Sequence, residues 1–123
     1  MTWTITYYND FVQEEILAMP SGFLGRYLRY FDRIEIYGPD LGMPHTRAMG
    51  DGLFELRLKA TKGIHGVSIA QMVGQKIVML HQFAKKPDKT PPREFKTAQR
   101  RMKEYNKCSL TRNLKPVHLK GQM

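Results

Sequence analysis

Cysteine is almost missing from this chain. Cys108 stands alone among 123 residues, which rules out an internal disulfide framework and fits a reducing cytoplasm, the expected location. No apolar run approaches the ~20 residues a membrane span requires, so no membrane association is expected. The opening MTWTITYYND has neither the basic start nor the long apolar core of a secretory signal. His45, His65, His81 and His118 are scattered, with no second ligand at metal-binding spacing, so neither a metal nor a cofactor is expected. Glycine-rich phosphate loops, zinc frameworks and Ser or Cys triad signatures are absent as well.

Acidic residues are scarce in one half only. Residues 1–62 hold seven Lys/Arg against eight Asp/Glu, whereas residues 63–123 hold thirteen against three. A near-neutral scaffold carrying a basic second half favours a polyanionic partner over a merely solvated surface. The length suits one domain, expected over 1–106, with 107–123 as a tail lacking periodicity.

What is present organises around Lys76 to Lys86, KIVMLHQFAKK. Ile77 to Leu80 is unbroken apolar and follows the turn signal Val73-Gly74-Gln75, which reads as a buried strand delivering Lys85 and Lys86 to a surface edge. Earlier, WTITYY at Trp3–Tyr8 is β-branched and aromatic and favours a strand. Asn9 and Asp10 offer N-cap oxygens to a short helix over Phe11–Ala18, with Phe11, Val12 and Ile16 on one side. A second helix from about Phe23 spaces Phe23, Leu24, Tyr27, Leu28, Phe31 and Ile34 along an apolar stripe. Its arginines, Arg26, Arg29 and Arg33, read as a solvated face or a partner contact.

The stretch from Gly38 to Gly52, with four glycines and two prolines, reads as a loop ordered by Leu41, Met43 and Met49. From Leu53 to Lys59 the chain alternates, with Phe54, Leu56 and Leu58 inward and Glu55, Arg57 and Lys59 on an open, charged face. A strand over Ile64–Met72 puts Gly66 and Ser68 on that same face, and short linkers make the three strands an antiparallel meander. Pro91 and Pro92 open a last helix, with Phe95, Ala98, Met102 and Tyr105 on one face and Arg93, Lys96, Arg100 and Lys103 on another. The fold class is α+β. Lys59 and Lys62, with the helix's four cations, are the expected RNA-binding residues, and Arg57, Lys85, Lys86 and His81 the expected catalytic ones. A lone histidine late in an apolar strand is more often packed than catalytic, and the cations are equally compatible with a binding surface.

The strings LGMPHTRAMGDGLFELRLK, IVMLHQFAKK and DKTPPREFKTAQRRMKEY, spanning about Val12 to Tyr105, resemble the phage-derived, RelE/HigB-like branch of type II toxins. The resemblance implies a RelE/ParE-type fold, with an antiparallel sheet on two N-terminal helices and a C-terminal basic helix. It implies a metal-independent mRNA endonuclease acting on ribosome-bound message, and a cognate antitoxin, commonly a helix-turn-helix DNA-binding protein. Arg57 matches a basic position of the family's active face, and Lys85 and Lys86 its basic pair after the last strand. Where the family reads a phosphate-gripping arginine followed by valine and aromatics, this chain reads GIHGVSIA, with Gly66 in the arginine's place. Losing one transition-state donor costs on the order of 10²–10³ in rate, so an impaired enzyme is expected. A non-catalytic antitoxin or RNA binder, and a gyrase-directed toxin of the same fold, are the alternatives.

Overall fold

A computed structural model describes residues 2–85 and 90–118, with the side chains of its last helix described to residue 107. Strand β1 (Thr4–Tyr7) leads into helices α1 (Asp10–Leu17) and α2 (Ser21–Tyr37). Strands β2 (Thr46–Gly50), β3 (Leu53–Ala60), β4 (Gly63–Met72) and β5 (Lys76–Lys85) follow, and helix α3 (Pro92–His118) closes the order. The sheet runs β1-β5-β4-β3-β2. The meander β3–β4–β5 is antiparallel as expected, while β1 joins its edge in parallel, Thr4 opposite Lys76.

Local chemistry accounts for the helix starts. The Asn9 side chain accepts a 2.8 Å hydrogen bond from the Val12 amide, capping α1. Val12 and Ile16, one turn apart, are buried, but Phe11 projects away and is 61% exposed. In α2 the buried face is Phe23, Tyr27, Tyr30 and Ile34, with Leu24 and Phe31 packed at its margin. Leu28, counted into the stripe by spacing, is half exposed.

One face of the sheet, bearing Phe54, Leu56, Leu58, Val67, Ile69, Ile77 and Met79, packs on α1 and α2. Within this core the hydroxyls of Tyr7 and Tyr27 share a 2.7 Å hydrogen bond. Burial, with that bond second, pushes the Tyr27 phenol far above its ordinary value of 10.0. The native state therefore holds a proton that the unfolded chain releases, so this contribution is complete below about pH 10 and declines above it, by at most about 1.4 kcal/mol per pH unit. Urea midpoints measured from pH 8 to 11 are expected to fall more steeply for the parent than for Tyr27→Phe. Parallel curves would refute the assignment.

The opposite face is not open. Leu53, Ala70, Val78 and Leu80 bury against Ala98 of α3, with Phe95, Met102 and Tyr105 packed around them. Helix α3 starts at Pro92 and runs on to His118, so the segment expected as a tail from 107 is helical to that point. The expected loop over 38–52 contains β2. The Thr46 hydroxyl, almost fully buried, accepts from the amides of Leu41 and Gly42 at 2.9 and 3.1 Å and ties the turn to the strand. Met43, expected to pack, is 62% exposed.

An irregularity in the β4–β5 pairing decides which side chains reach which face. Ser68 is opposite His81 and Ile69 opposite Met79, which leaves Leu80 as an extra residue on β5. Before this bulge, Ile77 and Met79 face the helices α1 and α2. After it, Gln82 faces them, meeting His65 at 3.3 Å, while His81, Phe83 and Lys85 turn to the α3 side. A bulge re-aims side chains in this way by shifting the two-residue period by one.

Candidate nucleic-acid interface

The upper part of the α3-side face carries Glu55, Arg57, Gly66, Ser68, His81, Phe83 and Lys85. The sequence places Lys85 at an exposed edge and Glu55 on an open strand face. Both are buried instead: Lys85 Nζ lies 2.8 Å from Glu55 Oε1, with side-chain exposures of 0% and 1%. The Thr90 hydroxyl donates to the other Glu55 oxygen at 2.5 Å. Lys85 is thus neutralised within the fold, since the bulge turns it inward onto a carboxylate thirty positions earlier. Its expected partner Lys86 lies outside the described residues.

Gly66 is also covered. A Cβ built there would stand 2.7 Å from Phe83 Cζ and 3.3 Å from Glu55 Oε2. The Phe83 ring fills the space a side chain at 66 would use, so an arginine introduced there must first displace that ring. Gly66 is therefore a packing glycine in this fold. Next to Phe83, His81 has both ring nitrogens engaged. Its Nε2 is 2.6 Å from Glu94 Oε1, and its Nδ1 is 3.5 Å from Arg101 Nη1, which also donates to the Leu80 carbonyl at 2.8 Å. These contacts fix His81 between sheet and α3.

Two cationic surfaces remain among the described residues. Along α3, Arg93, Lys96, Arg100 and Lys103 are exposed at helical spacing, forming a stripe about 15 Å long on one face. A shallow groove of about 400 Å³ follows it, with Glu104 among its lining residues. That carboxylate accepts a 2.5 Å hydrogen bond from Tyr8, which raises the Tyr8 phenol above its usual value, with burial adding to the effect. Arg101 lies over the same tyrosine ring, 5.1 Å from its centroid.

The second surface is a cleft of about 540 Å³ at the end of the sheet edge, where β3 runs beyond β2. Arg57 and Lys59 line it from β3, Arg26 and Tyr30 from α2, and Pro44 and His45 from the turn before β2. The Arg57 amide donates to the His45 carbonyl at 2.9 Å, and its Nη1 to the Pro44 carbonyl at 3.4 Å. Its Nε is buried and has no hydrogen-bond partner among the described residues. His45 Nδ1 is 3.0 Å from the Tyr30 hydroxyl, with the two rings edge to face. Lys62 stands apart, exposed in the β3–β4 turn beside a depression formed with Pro20 and Phe23.

The structure thus joins Arg57 to Lys59 in one cleft, whose lining includes neither Lys85 nor His81. Sequence reasoning missed Arg26, Tyr30 and His45 as neighbours of Arg57. Arg26 and Tyr30 are four apart on one helix and so share a face, a signal available beforehand. His45 had none, because its place depends on the turn that Thr46 holds. Among the described residues, no three His, Cys, Asp or Glu side chains converge as a metal site, and no helix is long and apolar enough to cross a membrane.

The sequence pattern of a family described as phage-derived protein Gp49-like matches residues 14–103. No curated protein matches the chain. Among solved structures, the chain is similar to a free-state, double arginine-to-alanine mutant of the E. coli toxin RelE. That likeness has a TM-score of 0.60 at 8% identity and covers 82% of this chain and 98% of the other. It is also similar to the archaeal RelE–RelB complex from Pyrococcus horikoshii, with a TM-score of 0.51 at 18% identity, covering 68% of this chain and 96% of the other. The fold is therefore RelE-like.

Proposed function

The chain belongs to the phage-derived Gp49-like family, and from that premise we propose that it is the toxin of a type II toxin–antitoxin pair that cleaves messenger RNA. The observation that carries this reading is the exposed α3 stripe, where four cations line one helix face on a RelE-like scaffold. Such a stripe suits the phosphates of a single strand, and a message held on the ribosome in the cytoplasm supplies one. Attack of a 2′-hydroxyl on the adjacent phosphate requires cations and proton transfer, and can proceed without a metal. The archaeal relative is solved with RelB, which supports an antitoxin partner here, in this branch a helix-turn-helix protein. Phe11, Leu28 and Ile36 are exposed on α1 and α2 and offer an apolar segment of that partner a surface.

A second reading, a non-cleaving binder, is favoured by the sealed face: Lys85 is paired to Glu55, Phe83 sits over Gly66, and both His81 nitrogens are occupied.

Inducible expression with primer extension on total RNA separates the two. New 5′ ends inside messages are expected for the parent, and weaker ones for Lys96→Gln/Arg100→Gln/Lys103→Gln. In RNA-binding titrations each lost phosphate contact is expected to reduce the slope of log K against log salt by about 0.7. Intact messages with arrested growth would overturn cleavage, and inhibited supercoiling alongside them would mark a gyrase-directed toxin.

A further inference from the structure

The cleft at the end of β3 combines features that the α3 stripe lacks. Three cations, Arg26, Arg57 and Lys59, line it, and no carboxylate does so among the described residues. Like charges gathered without a counter-charge repel one another, and a bound anion relieves that repulsion. Arg57 holds a buried donor with nothing to donate to among the described residues, and such a donor is costly unless a ligand or water satisfies it. Apart from His45 and Thr61, the rest of the lining is apolar or aromatic, including Pro44, Ala60, Ile64 and the Tyr30 ring.

We propose that this cleft binds one nucleotide of an RNA strand, its phosphate on Arg57, Arg26 and Lys59 and its sugar or base against the apolar wall. The choice of RNA rests on the reading of the chain as a messenger-directed toxin. The planar guanidinium fork of Arg57 matches two phosphate oxygens, and at about 540 Å³ the cleft lies within the range of small-molecule sites. His45, tied through Nδ1 to the Tyr30 hydroxyl, borders the same space, and its Nε2 has no partner among the described residues. An acidic peptide would use the same cations, its carboxylates matching the guanidinium fork as well, but would leave the apolar wall without a role.

The test is an NMR titration of the full chain with adenosine 3′,5′-bisphosphate, inorganic phosphate and hexaglutamate, following the Nε–H resonance of Arg57. The bisphosphate is expected to shift that resonance saturably and to bind at least about tenfold more tightly than inorganic phosphate. Arg26 and Lys59 are exposed, so Arg26→Gln/Lys59→Gln should fold normally and lose about tenfold or more in affinity. Arg33→Gln, at an exposed α2 arginine outside the cleft lining, should leave mononucleotide affinity unchanged. A nucleotide that binds the cleft variant undiminished, that leaves the Arg57 signal in place, or that binds no better than phosphate overturns the proposal. So does hexaglutamate saturating the cleft while the nucleotide does not. Because no cleavage is read, an absence of RNA cutting in cells leaves this result standing, and binding elsewhere would refute the cleft without touching the toxin reading.

Discussion

Replacing Glu55 with alanine is expected to lower the unfolding free energy by roughly 3–5 kcal/mol, the cost of leaving one partner of a buried ion pair alone. Lys85 has a side-chain exposure of 0%, and its ammonium meets the Glu55 carboxylate at 2.8 Å. With the carboxylate gone, the cation must stay unpaired in the interior or pull β5 open to reach water. A loss of that size is a large share of the roughly 5–15 kcal/mol that holds a domain together. The double variant Glu55→Leu/Lys85→Met removes both charges and is expected to recover most of the loss, since buried pairs replaced by packed apolar residues are often neutral. Urea denaturation measures both. A Glu55→Ala cost below about 1 kcal/mol would mean that the pair is solvated in practice. The double variant also separates structure from chemistry. If it folds and still cuts RNA, Lys85 is a structural cation. If it folds and RNA cutting is abolished, the buried lysine must emerge during the reaction.

Deleting Leu80 is expected to destabilise the protein by roughly 2–5 kcal/mol without abolishing cooperative folding, because it removes a fully buried side chain and the extra residue of β5 while the strand on either side keeps its faces. His81 would then take the place of Leu80 in an uninterrupted two-residue period, and Phe83 and Lys85 would stay on the α3 side with Lys85 still facing Glu55. The comparison is Leu80→Ala, which keeps the residue count and is expected to cost about 2–5 kcal/mol for a cavity at a fully buried site. Circular dichroism during urea unfolding distinguishes the two. A transition near that of Leu80→Ala is expected for the deletion, and loss of the cooperative transition in the deletion alone would show that the bulge itself, beyond the Leu80 side chain, is needed for folding.

These two results mark the boundary of what the sequence could reveal. The meander was legible because Phe54, Leu56 and Leu58 alternate with charged residues, and the apolar face of α3 because Phe95, Ala98, Met102 and Tyr105 recur at helical spacing. The bulge was not. Ile77 to Leu80 is apolar on both faces, so no alternation exists whose break would expose an extra residue. The fate of Lys85 depended on that hidden phase, and a lysine at a strand end reads as a surface charge until its carboxylate, thirty positions away, is found beside it. Strand β2 escaped notice because Thr46–Gly50, set in a stretch rich in glycine and proline, has little strand propensity of its own and is held by pairing with β3 and by the Thr46 hydroxyl. The cleft followed the same rule. Arg57 and Lys59 could be paired from their alternation, but His45 reaches them only through tertiary structure.

The parallel pairing of β1 with β5 bears on how the protein is made. Thr4 must wait for Lys76, about 70 residues later, and at roughly 5–20 residues per second the ribosome takes about 4–14 s to supply it. Throughout that interval the first strand has no neighbour to pair with, although α1 and α2 are already synthesised. The sheet's edge and its last helix are completed nearly together. Nascent chains therefore lack the five-stranded sheet until β5 is made, and a premature stop anywhere before β5 leaves β1 without its partner.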